Sequence, residues 1–352
     1  MAYGKGNLGG KSKLKFWETP LNFTQTVNID YADTSQPNCR FAYKDLTIYQ
    51  RYNETDLNIY YKSLLIKQQE IGINLGSTFS QIYVDDDYNI YILTTSKLFS
   101  FLFSEKYNQK YELQLNFTTP IGNSNFEFNN SIYFIARKFI DQDYKMALFK
   151  FNKPSNKIIN QIPTEVALER LGSSGMDLFI NGENAFYFDN KTKNAIQTIN
   201  LNTMQHYSKI NLTPPSSINL NAYLGYYNNH HYIIGANSSK YMYYIEYSNV
   251  GGIPTNYGQI TLDSNIFNQF TTLPNIYNLS GTVIQASDNI VVTLGSRANA
   301  YNDMICYIDL KTKKIIKYVE YLRSNIDLIG TIKKQVGYQA YRSGLYQQFY
   351  IE

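Results

Sequence analysis

From Asn22 onward the chain alternates between short apolar runs and polar turns. The stretch Ser287–Leu322, SDNIVVTLGSRANAYNDMICYIDLKTKKIIKYVEYL, shows the pattern most plainly. Asn289–Gly295 is apolar and β-branched, Met304–Leu310 alternates, KTKK is a polar turn, and Ile315–Tyr321 alternates back. Such a run predicts an antiparallel meander. The unit recurs. Gln81–Leu115 reads as four strands, broken first by the acidic turn DDDYN and later by two polar turns. Asn125–Ile162, Met176–Leu212 and Ala222–Leu262 repeat the scheme, and a less regular unit runs from RFAYK to Leu75. The tail, Ile326–Glu352, supplies only three strands, whereas the start of the chain has one to spare at Phe23–Tyr31.

The second strand of each unit starts at Asp45, Asn89, Ser131, Asn184, His230, Asn289 and Gln335, giving intervals of 44, 42, 53, 46, 59 and 46 residues. Four strands at that period predict the blade of a β-propeller. Two inserts explain the long intervals: Glu165–Ser174, expected to form one helical turn, and the loop Asp263–Gly281. As the largest excursion, that loop is the expected contributor to a binding face. The strand count predicts an all-β fold of seven blades with four antiparallel strands each. The N-terminal strand would complete the last blade and close the ring, which removes open edges. Six or eight blades also fit, because the first unit is the least regular. The expected division is an arm over residues 1–21 and one propeller domain over residues 22–352.

Composition changes this picture little. The chain is 43% hydrophobic and 17% charged, which is globular. Its 34 Tyr and 20 Phe suit strands and half-buried binding surfaces, although AT-rich codons raise Tyr, Phe, Asn, Ile and Lys together. Net charge is +4, and the first twenty residues hold four Lys against one Glu, 4 − 1 = +3, leaving +1 for the rest. A nearly neutral body has no basic stripe for nucleic acid. The glycine- and lysine-rich arm ends in an apolar anchor, so Lys11, Lys13, Lys15, Phe16 and Trp17 are the candidate partner-binding residues. No apolar run reaches the length of a membrane span, and no secretory signal is legible at the N-terminus.

Candidate chemistry is sparse. Cys39 and Cys306 form no metal or redox spacing. His230 and His231 are adjacent on a predicted strand and so point to opposite faces. Asp85–Asp87 lack the spacing and glycine of a calcium loop and read as an acidic turn. No GxSxG, HExxH or P-loop occurs, and no cofactor is expected. A carboxylate pair assembled from separate blades could not be read from spacing.

DDDYNIYIL resembles the first-to-second-strand turn of NHL-type propellers; the Trp-Asp ends of WD40 blades and the paired glycines of kelch blades are absent. The composition, the arm and the plain repeat are together similar to tail and baseplate proteins of tailed bacteriophages with AT-rich genomes. That resemblance implies a non-enzymatic scaffold in a virion, made in the host cytoplasm. It would bind other virion proteins through its arm and could contact a host-surface glycan. The alternatives are a propeller enzyme or lectin-like module for surface polysaccharide, and an intracellular adaptor.

Overall fold

The computed structural model describes residues 14–16, 23–29, 38–43, 46–50, 54–62, 64–73, 81–115, 119–120, 125–140, 143–153, 164–168, 178–189, 194–237, 242–262, 278–296, 304–321, 325–331, 335–342 and 345–351. These residues form strands, turns and one 3-10 turn, Phe103–Glu105. Two strands precede the repeats, β1 (Leu14–Phe16) and β2 (Phe23–Ile29). Sheet I is β3 (Asn38–Tyr43), β4 (Leu46–Gln50), β5 (Asp56–Tyr61) and β6 (Leu64–Glu70). Sheet II is β7 (Gln81–Val84), β8 (Ile90–Leu93), β9 (Lys97–Phe101) and β10 (Lys110–Gln114). In sheet III the short β11 (Thr119–Pro120) and β12 (Phe126–Phe128) both pair with β13 (Ser131–Ile140), followed by β14 (Asp143–Asn152) and β15 (Thr164–Leu168). Sheet IV is β16 (Phe179–Asn181), β17 (Asn184–Asp189), β18 (Ala195–Asn200) and β19 (Gln205–Asn211). Sheet V is β20 (Asn219–Tyr227), β21 (His230–Ala236), β22 (Met242–Ser248) and β23 (Pro254–Gln259).

Sheet VI begins with β24 (Thr261–Leu262) and continues through β25 (Asn278–Gln285), β26 (Ile290–Ser296), β27 (Met304–Asp309) and β28 (Lys314–Tyr321). The outer strand β28 takes β24 in parallel at one end and β1 antiparallel at the other. Sheet VII is β29 (Asn325–Thr331), β30 (Gln335–Arg342) and β31 (Leu345–Ile351), with β2 antiparallel on β31 from Phe23↔Ile351 to Ile29↔Tyr346.

The interior strands read as near-continuous apolar runs because both of their faces are covered. In β9, Phe99 and Phe101 pack with Leu46, Ile48, Leu57 and Ile59 of sheet I. Leu98, one position out of phase, packs with Phe134, Phe149 and Phe151 of sheet III. In β14 the split repeats: Phe149 and Phe151 face sheet II, whereas Met146 and Leu148 pack with Ala185, Tyr187 and Ile199 of sheet IV. A strand period of two thus turns each sheet into the filling between two cores. First strands lie against first strands: β3 against β7 and β29, β20 against β16 and β25, and β25 against β29. Fourth strands face outward, and β19 and β23 carry mostly exposed side chains.

One expectation is corrected. Glu165–Ser174 is not an insert with a helical turn at its start, because Thr164–Leu168 is the fourth strand of sheet III, paired with β14. The reason is period two: Val166 and Leu168 are buried while Glu165 and Ala167 are exposed. The expected fourth strand near Ile162 lies outside the described residues, as do Gly172–Gly175 and positions 263–277 of the long loop.

Candidate interaction surface

The polar groups between sheets act as struts. In the DDDYN turn, the buried Asp85 accepts from the backbone N–H of Asp87 at 3.0 Å and of Asn89 at 2.8 Å. Its second oxygen accepts from Asn89 Nδ2 at 3.0 Å and Tyr91 Oη at 3.2 Å, and pairs with Lys153 Nζ at 2.8 Å. Lys153, reaching over from sheet III, also meets Glu127 at 3.1 Å, and Tyr83 donates to that same carboxylate. Burial alone would lower the Lys153 pKa, but the hydrogen bond and charge of Asp85, aided by Glu127, raise it. Asp85 is therefore saturated by donors and ordered by its own turn; Asp86 and Asp87 are exposed. Removing Lys153 would strand buried carboxylate charge at a cost of about 3–5 kcal/mol. A second strut joins sheets V and VI: Lys313 pairs with Glu246 at 2.6 Å and lies over the Tyr244 ring, 5.4 Å from its centroid. Among the described residues no group of His, Cys, Asp or Glu is arranged to hold a metal ion.

The histidines also serve packing. His231 is buried between Phe186 of sheet IV and Tyr226, and shares a 2.9 Å hydrogen bond with Tyr223. Burial, and after it the neighbouring His230, lowers its pKa to about 3, so the ring is neutral. His230 points the other way, as the strand period requires, with Nδ1 2.9 Å from Asn228 O. His206 contacts Ala167 O of sheet III at 2.8 Å.

The outer rim looks different. The β22–β23 turn lifts Val250 to 84% exposure and Ile253 to 76%, and on the flanking fourth strands Tyr207 is 77% and Tyr257 53% exposed. This turn is held at many points. Thr213 N donates to Gly252 O at 2.7 Å, Tyr247 Oη to Thr213 O at 3.1 Å, and Asn249 N to Asn229 O at 3.1 Å. Gly252 sits directly on the backbone of Asn211, where a Cβ would collide with the Asn211 carbonyl. Apolar side chains on an ordered turn are thus presented to solvent without a local role in folding.

The backbone arrangement is similar to a solved WD40 domain of Pan2 from Neurospora crassa, with a TM-score of 0.53 and 8% identity over 94% of this chain and 95% of that one. The fold is a β-propeller. A second similar structure is Hsv2 from Kluyveromyces lactis, with a TM-score of 0.44 and 6% identity over 79% of this chain and 82% of that one. No family model and no curated protein matches the sequence. Within the propeller, Lys15 and Phe16 of the arm lie in β1 on the edge of sheet VI, with Lys15 in register with Glu320. Lys11, Lys13 and Trp17 lie outside the described residues. Sequence reasoning missed the Val250–Ile253 turn because it reads as an ordinary Asn-Gly-Pro turn, and exposure is not written in local composition. Among the described residues no helix is long and apolar enough to cross a membrane.

Proposed function

We propose that the protein is a non-enzymatic interaction scaffold: a closed seven-bladed propeller whose rim holds a partner. The closed ring is supported by the contact of each sheet with the next and of sheet VII with sheet I, through β29, β30 and β31 against β3. The addition of β2 to sheet VII supports closure by the chain start. The observation that carries the binding role is the preorganised turn exposing Val250 and Ile253. A rigid apolar protrusion loses little entropy when a partner covers it. A non-catalytic role is favoured because Asp85, Glu127 and Glu246 are each engaged by a lysine or by neighbouring donors.

The assembly we propose is the tail or baseplate of a tailed bacteriophage, supported by composition and by the arm, whose Lys11, Lys13 and Trp17 flank β1. A photo-crosslinking residue at position 250 of the full chain tests the binding role, with position 183 as an exposed control. We expect one discrete adduct from position 250 in intact particles and none from position 183. Absence of the chain from purified virions by mass spectrometry would remove the phage assignment. Equal labelling from both positions would remove the rim site.

A further inference from the structure

The outer edges of the sheets are guarded in different ways, and one of them is both guarded and adhesive. The β23 edge carries Pro254 and Gly258, which weaken strand pairing. The β19 edge is largely polar and carries a bulge against β18. The β10 edge is laced by Lys97 and Glu112. The β28 edge is covered by β1 and β24. On β6, by contrast, three consecutive aliphatic side chains stand in solvent: Leu64 at 70%, Leu65 at 51% and Ile66 at 40% exposure. The same strand bears Lys67 and a register shift opposite Ile59/Tyr60, two devices that discourage indiscriminate pairing.

We propose that β6 is a strand-addition site for a partner protein's extended segment, one that sets a carboxylate against Lys67 and apolar residues against Leu64–Ile66. Charge decides the partner's chemistry. Lys67 donates to the neutral Asn108 at 3.0 Å, and Lys62 lies over the Tyr61 ring at 5.5 Å; among the described residues neither makes an ion pair. The acidic end of the strand is already satisfied. Glu70 accepts from Thr55 Oγ1 at 2.9 Å and from the Gly72 N–H, and Asp56 accepts from Gln68 at 2.6 Å. The basic end alone calls for an opposite charge. The chain's own strand addition follows the same rule: β1 brings Leu14 and Phe16 opposite Tyr321 and Val319, with Lys15 opposite Glu320. A second copy is a poor occupant, since full antiparallel pairing of β6 with itself opposes Lys67 to Lys67. Main-chain bonds along the ladder give affinity, and the cross-strand charge gives selection.

The site is independent of the Val250 turn, and its test separates the two. An eight-residue synthetic peptide carrying a run of three valines next to a single glutamate is titrated into the full chain, alongside the same peptide with lysine for glutamate. We expect the glutamate peptide to bind at least about tenfold more tightly and to slow amide exchange across Leu64–Glu70 about tenfold or more. Lys67→Glu should reverse the preference. Leu65→Lys should abolish binding while leaving thermal unfolding unchanged, and Val250→Lys should leave binding unchanged. The proposal is overturned by several results: no binding at millimolar peptide, equal binding of both peptides, or protection at β28 instead of β6. It is equally overturned if Leu65→Lys dissolves a dimer of the free chain, or removes binding to anionic vesicles where no peptide binds.

Discussion

His231 shows how one residue can tie stability to pH without taking part in any chemistry. Its imidazole is buried among Phe186, Tyr223 and Tyr226, and its pKa falls from the ordinary 6.5 to about 3. The unfolded chain therefore binds a proton that the folded chain refuses throughout that interval. Stability from this group is complete above pH 6.5 and is lost as the pH falls toward 3, at up to about 1.4 kcal/mol per unit. We expect urea midpoints of the wild type to drop more steeply between pH 6 and 4 than those of His231→Gln. Parallel pH profiles would show that the ring is hydrated, not buried. Adjacent histidines facing opposite ways were legible in the sequence from the strand period. Which of the two would be buried was not, because that depends on Phe186 arriving from the neighbouring sheet.

At the scale of elements, the β22–β23 turn owes its order to backbone contact. Gly252 leaves no room for a side chain against Asn211. Gly252→Ala must move either the turn or the end of β19, at a cost of about 1–3 kcal/mol. At Gly251 the nearest atom a Cβ would meet is the movable Ser248 hydroxyl, so Gly251→Ala should cost clearly less. Chemical denaturation of the two variants checks this, and equal losses would show that the turn is not seated on Asn211. Gly225, at φ 152°, plays a similar part between sheets: a Cβ there would meet Phe179 at 2.6 Å and Leu310 at 2.9 Å. Most strands were legible because each is a short apolar or alternating run bounded by a polar turn. The fourth strand of sheet III was misplaced for a plain reason. TEVAL is short and its Glu165, Ala167 and Leu168 are good helix formers, so only its pairing with β14 settles the matter.

For the whole molecule, the two N-terminal strands do separate work. β1 covers an edge of sheet VI, whereas β2 supplies the fourth strand of sheet VII through six register pairs with β31. With a net value of about 0.5–1.5 kcal/mol per hydrogen bond, the β2 ladder contributes on the order of 3–9 kcal/mol. Deleting residues 2–29 should therefore lower the urea midpoint sharply and promote association through the bared β31 edge, while deleting residues 2–16 should change the midpoint little. Equal effects of the two deletions would argue against closure through β2.

The sequence by itself determined the all-β class, the period of the repeat, three strands at the end of the chain and one spare strand at its start. Those are local properties: alternation, turn chemistry and counting. Only the tertiary structure decided which edges are covered, which polar groups become struts and which apolar side chains remain in water. Gln285 illustrates the difference. Its amide accepts from Ile180 N and donates to Ile180 O, both at 2.9 Å, across 105 residues of sequence. Nothing around either residue in the chain announces that bond. It exists because β25 and β16 are brought together by the packing of whole sheets, and exposure, burial and pairing at a distance are set by that packing alone.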